Sequence, residues 1–162
     1  MIQSNAYVDL KGERISLDAL GEDERKLVSR LKRRAKSHSD WNDFENYWTH
    51  AVADFYDRRG MSRSASRRTA VYRIAQDLGS RIAVSQGLAQ PPDYRDELDE
   101  LIRRRFATRR DFCRATGISE DMLSHVLARR KHLAIDTLVD ALSRIGCTLK
   151  IAPMEISRDD NG

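Results

Sequence analysis

The chain has little of what secreted, zinc-bound or membrane-spanning proteins need. Its 162 residues include only two cysteines, Cys113 and Cys147, and these do not form a CxxC pair. So few cysteines argue against a disulfide framework or a cysteine zinc site, and they favour a reducing, cytoplasmic compartment. No apolar run approaches the roughly 20 residues of a membrane-spanning helix. The start of the chain is polar, so we expect no signal peptide.

Residue combinations that support catalysis are also scarce. The four histidines are scattered, and no glycine-rich phosphate loop is present. Cys113 and His125 fall in one segment, but a cysteine on a helix-packing face is an inert thiol. The acidic residues Asp40, Asp43 and Glu45 stand at the start of an amphipathic stretch, where they are better explained as helix caps. We therefore predict no enzyme activity, no metal site and no cofactor.

The apolar pattern predicts a mostly α-helical bundle. Three stretches before residue 90 repeat apolar residues at helical spacing: 22–36, 40–59 and 66–87. Asp40 is the expected cap of the second stretch, and Ser64 or Ser66 that of the third. The second stretch carries a largely aromatic stripe that we interpret as core, namely Trp41, Phe44, Trp48, Val52 and Phe55.

Short alternating segments predict a little β structure near each end. Val8 and Leu10 alternate with polar residues before a turn at Gly12, and Ile15 and Leu17 alternate after it, which predicts a β-hairpin. The sequence CTLKIAP, which begins at Cys147, alternates in the same way. It predicts a short C-terminal strand that pairs either with the hairpin or across a dimer axis.

A break after the third helical stretch divides the chain. Gly87 ends that stretch, and Pro91 and Pro92 prevent its continuation. We predict a hairpin and helical region over 1–90, which serves dimerisation or binds a protein partner. A second domain covers 91–156. The polar tail, 157–162, is expected to be disordered.

Residues 108–130 are the most informative stretch. They predict two short helices joined by a tight turn, the first running from Thr108 to about Ala115. Gly117 stands where a helix needs a residue with positive φ to end, and Ser119 can cap a second helix over about 119–129. Further amphipathic helices are predicted on both sides, over 96–106 and 135–145.

The order and spacing of these elements resemble the phage-repressor (Cro-like, or XRE) helix-turn-helix family over about residues 94–153. The resemblance is carried by a small residue at Cys113, the glycine at 117, and aliphatic residues at Leu123 and Val126. The ending ALSRIGCTLKI resembles that of bacterial regulators and antitoxins. The family resemblance implies a DNA-binding domain whose second helix lies in the major groove.

The resemblance also implies a set of DNA contacts. In its geometry the first motif helix directs its N-terminus at a phosphate, and the second reads bases. The residues that we predict to contact DNA are Thr108, Arg109, Arg110, Ser119, Glu120, Asp121, Ser124, His125, Arg129, Arg130 and Lys131. Among them, Ser124 and His125 would read bases, and the basic loop that begins at Arg129 would contact phosphates. Acidic residues at 120 and 121 depart from the family pattern.

The charge of the chain and the small size of the predicted DNA-binding module indicate which partners to expect. The net charge is +4, with arginine-rich clusters over 25–36, 58–68 and 103–114. The last cluster flanks the motif and favours double-stranded DNA, whereas the first is equally well explained as a solvated helix face. Because one small module gives limited specificity, we expect a homodimer. The alternative is an antitoxin-like or other protein-interaction module with weak or no DNA binding, which the acidic residues favour.

Overall fold

The computed structural model describes residues 5–37 and 40–151. These residues form eight α-helices and one antiparallel two-stranded sheet near the N-terminus, which confirms a mostly helical chain with an N-terminal hairpin. They fall into two compact units, one ending at Pro91 and the other beginning at Pro92. Within the described ranges, no helix is long and apolar enough to cross a bilayer.

Four helices build the first unit: α1 (Glu22–Lys36), α2 (Trp41–Asp57), α3 (Arg63–Ser66) and α4 (Ala70–Ser85). Asp40 caps α2 as predicted, because its carboxylate accepts the N–H of Asn42. The central part of the aromatic stripe is buried, whereas Trp41 and Phe55 at its ends are half-buried. Helix α4 packs against both α1 and α2, so a single core lies among these three helices.

The helix predicted over 66–87 begins later, at Ala70, and a separate short helix, α3, precedes it. The caps predicted at Ser64 and Ser66 are wrong: Ser62 caps α3 and Thr69 caps α4. The hydroxyl of Ser66 donates to the carbonyl of Arg63 at 2.9 Å and is therefore not available to start a helix. Small polar side chains compete for local backbone groups here, and the sequence pattern alone does not show which one wins.

The N-terminal hairpin pairs β1 (Ala6–Val8) with β2 (Arg14–Ser16). Its buried face carries Tyr7 and the opposing Ile15, rather than Val8 and Leu10, which are half-buried. Tyr7 faces inward because its hydroxyl donates to Asp77 on α4 at 2.5 Å. Burial and this carboxylate raise the pKa of Tyr7. The hairpin is therefore anchored to α4 by a polar contact that an apolar alternation does not reveal.

The second unit contains α5 (Tyr94–Arg105), α6 (Arg109–Thr116), α7 (Glu120–Leu127) and α8 (Ile135–Arg144). Its core joins all four helices, with Phe112, Leu123 and Val126 almost fully buried. Burial of each such side chain contributes about 2 kcal/mol. Ile135, predicted on the apolar face of α8, is 65% exposed.

The C-terminal strand predicted from Cys147 onward is not formed by residues 147–151, the part of it that the structure describes. The two described strands pair only with each other, so this segment has no strand partner. Cys147 is half-buried rather than buried. The remainder of that prediction, and the tail over 157–162, lie outside the described residues.

Candidate nucleic-acid interface

The site is built from α6, α7 and the three residues between them. Thr108 caps α6 by accepting the N–H of Asp111 at 3.1 Å. Gly117 ends the helix with φ of 79°, and its N–H donates to the carbonyl of Cys113. A Cβ at this glycine would lie 3.0 Å from the Arg144 guanidinium. Glycine is therefore favoured at this position by its backbone conformation, and an added Cβ would also require the flexible Arg144 side chain to move.

The turn sets the direction of α7. Ile118 is buried and anchors the turn to the core, and its N–H donates to the hydroxyl of Thr116. Ser119 then caps α7 by accepting the N–H of Met122 at 3.1 Å. Thr108 and Ser119, both predicted as DNA contacts, thus serve first as helix caps, which is a structural role.

The two helices pack through the small side chain of Cys113. This thiol is 7% exposed, and its pKa is raised by burial and by the nearby carboxylate of Glu120. A thiol with a raised pKa stays protonated at neutral pH. Cys113 therefore acts as a packing residue between the helices.

The outward face of α7 carries both acidic and neutral polar groups. Glu120, Asp121 and Ser124 are exposed, and the Asp121 side chain is 86% exposed. Arg110 on α6 lies 3.5 Å from the Glu120 carboxylate, and His125 Nε2 lies 3.6 Å from that of Asp121. Arg110 thus partly neutralises the acidic first turn of α7, and the imidazole of His125 lies beside it.

The end of α7 is unusual because its left-handed residue is an arginine. Arg129 has φ of 60°, the one positive φ at a non-glycine position in the described chain. Its N–H donates to the carbonyl of Val126, and the N–H of Arg130 donates to that of His125. This pair of hydrogen bonds is a Schellman motif, in which the residue after the cap is most often glycine.

Two carboxylates at the start of α5 hold the Arg129 side chain. Its guanidinium lies 2.6 Å from Asp96 and 3.2 Å from Asp93, and only 27% of the side chain is exposed. Asp93 also binds Arg95, whose side chain is 8% exposed. Hydrogen bonds from Arg95, with the charge of Arg129, lower the pKa of Asp93 to about 2.

Further hydrogen bonds join α5 to the loop after α7. The N–H of Leu133 donates to the Tyr94 hydroxyl at 2.9 Å, and Arg95 donates to the carbonyl of Lys131 at 3.3 Å. The loop predicted to contact phosphates is therefore fixed against α5 along its length. Within it, Arg130 and Lys131 are exposed, and no described carboxylate lies within ion-pairing distance of them.

The predicted site residues therefore differ in whether they form ion pairs within the protein. Arg109 is ion-paired with Asp99 at 3.2 Å, and Arg129 is ion-paired with the start of α5.

The sequence prediction did not include Asp93 and Arg95, because it began this helix at Asp96. The signal was present: an Asp-x-x-Asp capping box directly after two prolines. Nothing local in the sequence indicates that this box binds Arg129, more than thirty residues later.

No known protein family, curated protein or solved structure matches the chain. The assignment of function therefore depends on the residues and geometry of this molecule.

Proposed function

We propose that this protein is a sequence-specific DNA-binding transcriptional regulator, with α6 and α7 as a helix-turn-helix of the Cro-like type. The observation that carries the proposal is the turn over 117–119. It combines a left-handed glycine, a buried isoleucine and a capping serine, and it fixes the direction of α7 while residues on that helix's outward face stay exposed. A rigidly held, exposed helix of this kind is suited to the major groove.

In this proposal, α7 reads bases and the residues beside it contact phosphates. Ser124 and His125 face base edges, where a hydroxyl and an imidazole both form hydrogen bonds. Arg130 and Lys131 bind the backbone because their charges are not neutralised within the described chain. Arg129 instead holds the loop in place, which differs from the phosphate contact that the sequence suggested.

Arg109 and Arg110 at the start of α6 also suit phosphate contacts. Both arginine side chains are solvent-exposed, Arg109 57% and Arg110 70%, although the Asp99 side chain that pairs with Arg109 is 24% exposed. Surface ion pairs contribute about 1 kcal/mol or less. An ion pair with Asp99 or Glu120 can therefore be replaced by one with a phosphate at little cost in free energy. Thr108 caps the N-terminus of α6, which is itself suited to binding a phosphate.

The acidic first turn of α7 favours a second candidate function. Glu120 and Asp121 repel phosphates, although either carboxylate can accept a hydrogen bond from a cytosine amino group. An antitoxin-like or other protein-interaction module would present these carboxylates to basic residues of a protein partner. In both candidates we expect a homodimer, because a two-fold arrangement doubles the recognised surface.

The test is binding to random-sequence duplex DNA, measured by fluorescence anisotropy over a salt series. We expect wild-type affinity to fall steeply with salt, since each phosphate contact contributes about 0.9 to the slope. R130Q/K131Q should reduce that slope by about 2. The control R58Q/R68Q removes the same charge from exposed first-unit arginines and should leave it unchanged. Absence of wild-type binding at low salt would reject DNA binding and leave the protein-interaction candidate.

A further inference from the structure

A groove in the first unit is lined by cationic and hydroxyl-bearing side chains. It has a volume of about 260 Å³ and lies where α2, α3 and α4 meet. Helix α2 contributes Thr49, His50, Val52 and Ala53, whose i, i+1, i+3 and i+4 spacing places them on one side of the helix. The remaining lining residues are Arg63, Ser66, Arg67 and Tyr72.

The charge of this groove is one-sided. No acidic residue lines it, and neither Arg63 nor Arg67 has an ion pair with any described carboxylate. Other arginines of the same unit are paired, since Arg59 lies 3.0 Å from Asp23 and Arg73 lies 3.0 Å from Glu13. The two groove arginines are four positions apart, so their like charges destabilise this segment in the absence of a counter-ion.

The groove also offers a histidine ring and apolar groups for recognition. The Nδ1 atom of His50 lies 2.7 Å from the carbonyl of Asn46, which leaves Nε2 as the other polar atom of the ring. Ala53 and the ring of Tyr72 provide the apolar surface, since Val52 is only 1% exposed and belongs to the core. Tyr72 packs edge-on against Trp48 with centroids 5.1 Å apart. An anion with a small apolar substituent would match both kinds of surface, whereas a bare ion would use only the cationic side.

We propose that this groove binds a small organic phosphate ester, with Arg63 and Arg67 as the anion-binding residues. Guanidinium groups bind phosphate oxygens through two parallel hydrogen bonds. A volume of about 260 Å³ lies just below the usual range of ligand pockets, so the ligand is small. The site is separate from α6 and α7, and it would add a ligand-binding activity to the proposed regulator.

The test is isothermal titration calorimetry of the full chain with phenyl phosphate, alongside inorganic phosphate and phenol. We expect phenyl phosphate to bind more tightly than either fragment. R63Q/R67Q should weaken phenyl phosphate binding at least tenfold. R58Q/R68Q removes the same charge from arginines outside the groove and should change the affinity less than twofold. Circular dichroism of both variants checks that they fold, and their exposed side chains make folding the expected result.

Three outcomes would overturn the proposal. The first is absence of wild-type heat with phenyl phosphate at millimolar concentrations. The second is equal weakening by both double variants, which would indicate general charge attraction. The third is loss of DNA affinity in R63Q/R67Q with phenyl phosphate binding unchanged, which would make the groove part of a DNA-binding surface. Failure of DNA binding by the wild type, in contrast, bears only on the role of α6 and α7.

Discussion

Helices α6 and α7 end in the same left-handed conformation but by different means. Gly117 adopts φ of 79° at no steric cost, whereas Arg129 adopts φ of 60° with a full side chain. For arginine this conformation costs about 1 kcal/mol, and its ion pairs with Asp93 and Asp96 offset that cost. In the basic loop after α7, Arg129 therefore has a structural role, whereas the next two residues, Arg130 and Lys131, have no ion pair with a carboxylate in the described part of the chain.

Among these predictions, removal of the Asp93 carboxylate should lower the stability of the protein most. Asp93→Ala deletes the cap of α5 and leaves Arg95 and Arg129 short of a counter-ion. We expect the free energy of unfolding to fall by about 2 kcal/mol, measured by urea denaturation. Asp136→Ala removes an exposed first-turn carboxylate from α8 and should change it by less than about 0.5 kcal/mol. Equal effects would show that Asp93 is an ordinary surface acid.

A side chain at Gly117 should be nearly as harmful. Gly117→Ala forces an unfavourable φ and brings Cβ within 3.0 Å of Arg144, so we expect a loss of about 1–2 kcal/mol. Gly146 is the matched control because its φ is 72° and no atom lies near its missing Cβ. Gly146→Ala should therefore destabilise slightly less, by the small cost of moving the exposed Arg144 side chain. If both alanines destabilise equally in thermal unfolding, the close approach of Arg144 has no energetic consequence.

At position 129, substitution by glycine should be less destabilising than substitution by alanine. Arg129→Ala loses the ion pairs and keeps the strained φ, whereas Arg129→Gly loses the pairs and relieves the strain. We expect glycine to be more stable than alanine by about 1 kcal/mol, opposite to the order within a helix. Chemical denaturation of the two variants measures the difference. An alanine variant as stable as the glycine variant would mean that the ion pairs do not offset any strain.

Acid should also weaken the contact between α5 and the loop after α7, and we expect this to lower the free energy of unfolding by less than the substitutions above. Because the folded-state pKa of Asp93 is about 2, below the unfolded value of about 4, its contribution is present above pH 4 and is lost as pH falls toward 2. The stability difference between wild type and Asp93→Asn should therefore shrink across that window. A difference that stays constant down to pH 2 would contradict the shifted pKa.

Local chemistry explains which parts of this structure could be predicted. Asp40, Gly117 and Ser119 each act on their own helix end, so their roles follow from sequence spacing. Contacts between distant segments could not be predicted in this way. The anchoring of Tyr7 by Asp77 reversed the expected buried face of the first strand, whereas Ile15 and Leu17 after the turn are buried as expected.

The candidate site shows the same division between local and distant contacts. Its helices were predictable from capping residues and apolar spacing, but the partner of Arg129 was not. The side chain points to Asp93 and Asp96 only because α5 packs against α7, and that packing depends on apolar residues of both helices. A run of basic residues in a sequence therefore does not show which of them are available to bind phosphate.

The most direct test of the central claim is an NMR titration of the uniformly ¹⁵N-labelled full chain with duplex DNA at low salt. We expect the largest amide shifts over residues 119–125 and around Thr108, with Arg130 and Lys131 also affected. If the amide signals of these residues stay unchanged while those of other residues shift, α7 is not the DNA-reading helix.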